Sequence, residues 1–231
     1  MNEVRKNGGM NAMILSCSSL TPFVRAAQER CGTAWPVTEL DRNDHGEPAV
    51  MRQRILERIA ALPKEYDTVL VAMGFCGGAW QDVQPDRRVV IPRTDDCVSL
   101  LLHTDDAYCP NRKAPGHLYL YENDPADFSA LTLCRDRDKL DPELQTLDPD
   151  FVFHMLFDGY RHMDIIDTGL NDCYSEAYVA AAQAEADRIN AELGYAEGGT
   201  LLLEKLVTGR WDSQFLIVEP GHNIRHGDFF E

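Results

Sequence analysis

Residues 67–103 constrain the fold more than any other part of the chain, because short apolar runs alternate there with glycine-rich and polar turns. Residues 68–73 (TVLVAM) form a run rich in β-branched side chains, typical of a central parallel strand covered on both faces. The turn at 74–78 (GFCGG) follows directly, and a second strand is predicted at 88–91. Ligands of open α/β sheets bind at the carboxyl ends of the strands, so we expect any reaction or bound metal here.

The rest of the chain repeats the alternation of strand and helix. Strands are predicted at 12–16, 35–40, 117–121, 163–167 and 214–218, and an amphipathic helix at 49–62. The pattern predicts an α/β fold with a doubly wound, mostly parallel sheet and helices on both faces. We expect a flexible tail over residues 1–10 and a single domain over residues 11–231. A long helix is predicted from Tyr174 to Leu193, with Gly194 as its left-handed cap.

Composition excludes several classes of protein. The net charge of −16 argues against nucleic acid or an anionic membrane as a partner. No apolar run approaches the ~20 residues that span a bilayer, and the apolar stretch at residues 12–15 is shorter than the roughly 7–15 residues of a signal peptide. The seven cysteines form no CxxC pair, which indicates a reducing compartment rather than a disulfide framework. A cytoplasmic location is therefore expected.

Three cysteines follow predicted strand ends: Cys17, Cys76 and Cys97. Neighbouring strands lie ~4.8 Å apart, so their turns can bring three thiolates to one point. Three sulfurs suit a zinc ion with one open position, or a [4Fe–4S] cluster with one free iron. Two alternatives stay open at this point, buried structural thiols and a metal-free reactive cysteine. Whether Cys173, His222 or His226 joins the site is also open.

The residues around these cysteines are candidate contacts for a cofactor. Gly74, Gly77 and Gly78 allow the backbone to approach a ligand closely and to direct amides at it. Ser18, next to the first cysteine, is a further candidate. The alternative for the glycines is a tight turn that requires positive φ.

Two charged residues at the same edge are candidate catalytic groups. Arg93 is expected to bind a carboxylate or phosphate of a substrate, or to pair with a neighbouring acid. Asp95 is the second candidate, and either it or Asp96 is expected to cap the helix that begins at Cys97. The amino end of that helix is expected to lower the pKa of the Cys97 thiol.

These motifs resemble an uncharacterised family, the "domain of unknown function sixteen thirty-eight". The resemblance rests on an early strand ending in cysteine (residues 13–17), a G-F-C-G turn (74–77) and an I-P-R-x-x-D-C segment before a leucine-rich helix (91–102), with Glu-Pro-Gly at 219–221. Many members of that family lie beside genes for corrinoid-dependent methyltransferases. The resemblance implies a role near methyl-transfer metabolism and names no activity.

The sequence thus favours a metal- or iron–sulfur-binding cytoplasmic protein that acts on a small anionic or methylated molecule. As an enzyme it would be a metal-dependent transferase or lyase, with the open metal position as Lewis acid or activator of a thiol. The alternative is a non-enzymatic accessory protein that docks on a methyltransferase or a corrinoid protein, with its cysteines merely buried.

Overall fold

The computed structural model describes residues 10–131 and 142–231. Nine of the ten residues of the expected flexible tail, and Cys134, lie outside the described residues. The chain divides into two compact units, Met1–Arg112 with Thr200–Glu231, and Lys113–Gly199. Each unit has its own sheet and is described by itself.

The first unit is built on a five-stranded sheet in the order β2-β1-β3-β4-β8. The first four strands of that order are parallel, and β8 pairs antiparallel with β4. The five strands are β1 (Ala12–Cys17), β2 (Val37–Leu40), β3 (Thr68–Ala72), β4 (Arg88–Pro92) and β8 (Phe215–Val218). All five residues of β3 are buried, as expected for a central strand.

Five helices belong to the first unit: α1 (Thr21–Cys31), α2 (Pro48–Ala60), α3 (Cys97–Leu101), α7 (Leu201–Thr208) and α8 (Gly227–Phe230). Helices α1 and α7 pack against each other. Phe23 of α1 and Leu206 of α7 are both essentially without exposure to solvent. Full burial of such a side chain contributes about 1.5–3 kcal/mol to the free energy of unfolding. Burial of these two side chains therefore stabilises the first unit.

The second unit has a parallel three-stranded sheet in the order β5-β6-β7. Its strands are β5 (His117–Leu120), β6 (His162–Asp167) and β7 (Glu192–Glu197), and its helices are α4 (Pro142–Gln145), α5 (Pro149–Phe157) and α6 (Glu176–Asp187). Its core is apolar, with Leu120, Met163 and Ile165 from the sheet and Tyr178 from α6. The hydroxyl of Tyr178 donates to the carbonyl of Glu122 at 2.8 Å.

The predicted end of the long helix is wrong. Helix α6 stops at Asp187, and Gly194 lies inside β7 rather than at a helix cap. Gly194 is opposite Asp164 of β6, and a Cβ atom at Gly194 would come within 2.5 Å of the Asp164 Oδ1. The glycine therefore leaves space for the carboxylate of the residue opposite it on β6. The alanine-rich sequence before Gly194 does not indicate this contact.

The α/β fold class, with a mostly parallel sheet and helices, is confirmed. The sequence pattern predicts one sheet, whereas the strands form two. A single domain over residues 11–231 stays a prediction, because each unit is described by itself. Among the described residues, no helix combines the length and the apolar character needed to cross a membrane.

The buried His103 predicts a pH-dependent stability. Its Nδ1 donates to the Ser99 carbonyl at 2.7 Å, and burial lowers its pKa from the ordinary value. Because the unfolded histidine has a pKa of about 6.5, acid protonates the unfolded chain before the folded one. The stability from neutral His103 is full above that value and is lost as the pH falls below it. Urea unfolding of His103→Gln from pH 7.5 to 5 should show a smaller fall in midpoint than the unmodified chain.

The matched control is His222→Gln, since His222 is exposed. Its unfolding midpoint should fall with pH as steeply as that of the unmodified chain. Equal slopes for all three proteins would contradict the role given to His103.

Candidate metal centre

The first donor, Cys17, is the last residue of β1. Its side chain is 1% exposed, and its sulfur lies 3.0 Å from the Ser19 Oγ and 3.3 Å from the His45 Nε2. The position follows from the strand: β1 runs parallel between β2 and β3, so its carboxyl end opens at the sheet edge where both neighbours also end.

His45 reaches Cys17 through the loop that follows β2. Cys17 is in register with Leu40, the last residue of β2, so this loop starts beside the first cysteine. Asp41 caps a 3-10 turn at Arg42–Gly46 by accepting from the Asn43 backbone N–H. The Ser18 Oγ accepts from the backbone N–H of Arg42 at 3.0 Å and ties the turn to the exit of β1.

Cys76 lies in the glycine turn after β3, and that turn is paired with the segment after β4. The Phe75 N–H donates to the Thr94 carbonyl at 2.8 Å, and the Cys76 N–H donates to the Asp95 carbonyl at 2.7 Å. Gly74 permits this approach, because a Cβ there would lie 2.7 Å from the Cα of Asp96.

The turn itself has an uncommon backbone. Cys76, Gly77 and Gly78 have φ values of 48°, 66° and 99° in succession. Positive φ is easy for glycine and costs free energy for a cysteine, and such strain concentrates at functional sites. The reading of these glycines as residues of a tight turn is therefore supported by their geometry; direct contact with a cofactor stays a prediction.

Cys97 is the first residue of α3, and Asp96 caps that helix by accepting from the Ser99 N–H at 2.8 Å. The expectation that one of the two aspartates caps this helix is thus met by Asp96. The cap fixes the orientation of the first turn, and the Cys97 sulfur lies 4.0 Å from the Cys76 sulfur.

Three donor atoms converge. The sulfurs of Cys17 and Cys97 and a ring nitrogen of His45 all lie within 4.8 Å of one another, a grouping with metal-ligand geometry among the described residues. Two sulfur ligands of a tetrahedral zinc, each about 2.3 Å from the ion, lie about 3.8 Å apart. The spacing of Cys17, His45 and Cys97 therefore fits a single ion. Of the three cysteines predicted from the sequence, Cys17 and Cys97 belong to this group and Cys76 does not, although its sulfur lies beside that of Cys97.

The donors sit where this topology favours ligand binding. In the order β2-β1-β3-β4, the chain leaves β1 toward β2 on one side, and β3 lies on the other side. The crevice between β1 and β3 is the switch point of the sheet, and ligands of open α/β sheets bind outside the strand ends at that point. Cys17 and Cys76 follow those two strands.

Burial and neighbouring sulfurs set the protonation of the donors. The hydrogen bond with Cys97, then burial and the charge of Cys97, raise the pKa of the Cys17 thiol well above its ordinary value, although His45 opposes them. The hydrogen bond with Cys17 lowers the pKa of Cys97, but the hydrogen bond with Cys76, burial and the charges of Cys76 and Asp96 raise it more. Burial lowers the pKa of His45, and the hydrogen bond and charge of Cys17 outweigh it, so the result is a raised pKa.

The expectation of a lowered pKa for Cys97 is therefore wrong. Helix α3 has only five residues, and the carboxylate of Asp96 occupies its amino end. The weak dipole of so short a helix is outweighed by burial and by the neighbouring thiols. A metal ion would displace protons from these groups on binding.

Arg93 and Asp95 occupy the same edge with partners of their own. The Arg93 guanidinium donates to the carbonyls of Asp228 and Ser213 at 2.9 and 3.3 Å, and it lies 4.1 Å from the centre of the Tyr108 ring. The Asp95 N–H donates to the Pro110 carbonyl at 2.8 Å. These contacts fix the loops around the site, and the catalytic roles of Arg93 and Asp95 stay predictions.

The three open candidates lie elsewhere or beside the site. Cys173 is buried in the core of the second unit. The ring of His226 stacks on Phe230 at 4.4 Å and meets the edge of Phe75 at 5.5 Å, next to Cys76 in the chain. His222 is exposed. None of these three belongs to the converging group among the described residues.

His45 is the donor that sequence reasoning missed. The signal was present: His45 follows a predicted strand by five residues, in a polar loop. The strand order, which places β2 next to β1, could not be read from the chain, and only that order brings the loop to Cys17.

A comparison with family models places the chain in a family. The model described as "Protein of unknown function (DUF1638)" matches residues 40–207. The match covers most of the chain and includes His45, Cys76 and Cys97, so the chain belongs to this family. No curated protein and no solved structure gives a significant match.

The close approach at Gly74 predicts a sharp effect of a single methyl group. In Gly74→Ala the new Cβ would collide with the backbone of Asp96, so one of the paired turns must shift. We expect a loss of about 1–3 kcal/mol in the free energy of unfolding, together with weaker metal binding. Thermal unfolding and zinc competition with a chromophoric chelator measure the two effects.

The matched control is Gly159→Ala, because a Cβ at Gly159 meets nothing within 4 Å. It should leave both quantities nearly unchanged. Gly74→Ala with normal stability and normal zinc affinity would show that the turns tolerate separation.

Proposed function

We propose that this member of the DUF1638 family binds one zinc ion through Cys17, His45 and Cys97, with Cys76 as the fourth ligand. The observation that carries the proposal is the convergence of the first three donor atoms within 4.8 Å of one another. The 4.0 Å between the sulfurs of Cys76 and Cys97 supports the fourth position, because it is close to the spacing of two thiolates on one tetrahedral ion.

The donor set favours zinc over a [4Fe–4S] cluster. Such clusters are held by cysteine thiolates on separate irons, which spreads the sulfur ligands apart. Here a histidine is among the converging donors, and the cysteine sulfurs are close to one another. A mixed set of thiolates and imidazole at short spacing is typical of zinc.

Within this proposal Cys76 is the ligand that exchanges with a substrate. Its sulfur lies outside the group of three converging donors, and its turn has strained backbone angles. Catalytic zinc sites keep three protein ligands and one position for water or substrate. A small molecule that displaces Cys76 would bind the ion at the switch point of the sheet.

The chemistry best suited to such a site is metal-dependent transfer to a thiol. A zinc ion held by these residues would favour the deprotonated form of a substrate thiol that coordinates it, which would supply a thiolate nucleophile at neutral pH. In a methyl transfer the thiolate sulfur forms the bond to carbon, the bond between carbon and its donor breaks, and the electron pair stays with the donor. A corrinoid or another protein-bound methyl carrier would be that donor, which makes a methyltransferase the expected partner.

Metal analysis of the purified protein tests the proposal. Anaerobically purified chain should contain about one zinc and neither stoichiometric iron nor acid-labile sulfide. His45→Ala and Cys17→Ala should each lose the zinc, since each removes one of the converging ligands. Cys31→Ala is the control, because Cys31 is not part of the converging group, and it should retain the zinc.

Two outcomes would contradict the proposal. Iron and sulfide in equal amounts would indicate a cluster instead. Retention of zinc by His45→Ala and Cys17→Ala would place the metal elsewhere.

The role of Cys76 gives a separate prediction. In Cys76→Ser the three converging donors remain, so the protein should still bind one Co²⁺ or Zn²⁺, with an affinity lower by about tenfold or more. The sulfur-to-cobalt charge-transfer absorption should fall by about a third, as expected for two thiolates in place of three. An unchanged absorption band would show that Cys76 is not a ligand.

A further inference from the structure

Arg52 lies beside the glycine turn, and among residues 10–131 and 142–231 it makes one hydrogen bond. It belongs to α2, and its Nη2 donates to the Gly78 carbonyl at 2.8 Å. Gly78 is two residues after Cys76 in the same turn. The side chain is partly buried, so the guanidinium is held at the carboxyl edge of the sheet rather than in open solvent.

The guanidinium has an unmet hydrogen-bonding capacity. Within the described part of the chain, the Arg52 Nε is buried and has no hydrogen-bond partner, and no carboxylate lies within ion-pair distance of the side chain. Other arginines of the same unit do pair with carboxylates: Arg25, Arg30, Arg54, Arg87, Arg88 and Arg112. The chain has a net charge of −16, so acidic side chains are abundant. A half-buried arginine that pairs with none of those that the structure describes is a candidate for binding an anionic ligand.

The start of α2 lies beside the turn that carries Cys76. The helix begins at Pro48, three residues after His45, and the Pro48 Cγ would lie 3.5 Å from a Cβ at Gly77. The first turn of α2 therefore rests against the turn that carries Cys76, and Arg52 is one helical turn further on.

We propose that Arg52 binds the anionic group, a carboxylate or a phosphate, of the small molecule that the metal centre acts on; this inference rests on the proposed function. A guanidinium offers planar, paired donors that match either anion, and these charge-assisted hydrogen bonds are strong. The Nη2 donates to the Gly78 carbonyl, and the partly exposed guanidinium has further N–H groups for a bound anion. An ion held by the proposed ligands would bind the reacting atom, and Arg52 would fix the other end of the ligand.

The substrate-binding role that the sequence suggested for Arg93 stays a prediction beside this assignment to Arg52. The Arg93 Nε and Nη1 donate to the backbone carbonyls of Asp228 and Ser213, and its guanidinium lies over the Tyr108 ring. Arg52 was overlooked because nothing in the amphipathic pattern of α2 separates it from the other basic residues of that helix.

Calorimetric titration with two thiols of similar size tests the inference. Mercaptoacetate carries a carboxylate, and 2-mercaptoethanol is its neutral counterpart. The zinc-loaded protein should bind mercaptoacetate about ten- to a hundredfold more tightly, the effect expected from charge-assisted hydrogen bonds. Arg52→Gln should lose this preference, whereas Arg52→Lys should keep part of it.

Arg58→Gln is the matched control, because Arg58 is an exposed arginine on the same helix. It should keep the full preference for mercaptoacetate. Zinc content is measured for every variant, so that loss of anion binding is separated from loss of the ion.

Titration with inorganic phosphate separates this inference from the proposed function. Phosphate binding that Arg52→Gln abolishes supports the role of Arg52 even when metal analysis finds no zinc. Equal affinity for the two thiols in the unmodified protein overturns the inference even when zinc is present. Arg52→Gln with an undiminished preference for mercaptoacetate overturns it as well.

Discussion

The pairing of two turns by backbone hydrogen bonds positions the part of the candidate site that carries Cys76 and Cys97. The N–H groups of Phe75 and Cys76 donate to the carbonyls of Thr94 and Asp95, which joins the exit of β3 to the exit of β4. Backbone bonds of this kind specify position more firmly than side-chain contacts, because neither partner has rotamers to lose. The pairing tolerates no side chain at Gly74, so one missing Cβ determines the distance between Cys76 and Cys97.

The donors illustrate a balance between folding and metal binding. The hydrogen bond with Cys97 and burial raise the pKa of Cys17. The hydrogen bond with Cys17 lowers the pKa of Cys97, but the hydrogen bond with Cys76 and burial raise it more, so the folded chain accommodates both as neutral thiols without an unpaired buried charge. A divalent ion reverses this preference, because its charge stabilises thiolates in the same low-dielectric surroundings. The same burial that makes the thiols inert on their own makes the site receptive to an ion.

The sequence predicted those parts of the structure that are local. The apolar run of β3, the glycine turn and the cap before Cys97 are all encoded within a few residues, and all three are found. His45 and Arg52 were missed because their roles depend on strand order and on the docking of α2, which no local pattern contains. The end of the long helix was predicted wrongly for a similar reason. Gly194 leaves space for the carboxylate of Asp164 on the neighbouring strand, and this contact cannot be read from the local sequence.

The four proposed ligands lie at or just after the ends of four separate strands, between residue 17 and residue 97. An ion held by all of them would act as a cross-link that ties together the exits of the strands β1, β2, β3 and β4. An ion that binds only the folded state is released on unfolding, so its binding free energy adds to the stability of the fold. The heat resistance of the first unit would then depend on the supply of free metal in its surroundings as much as on its apolar core.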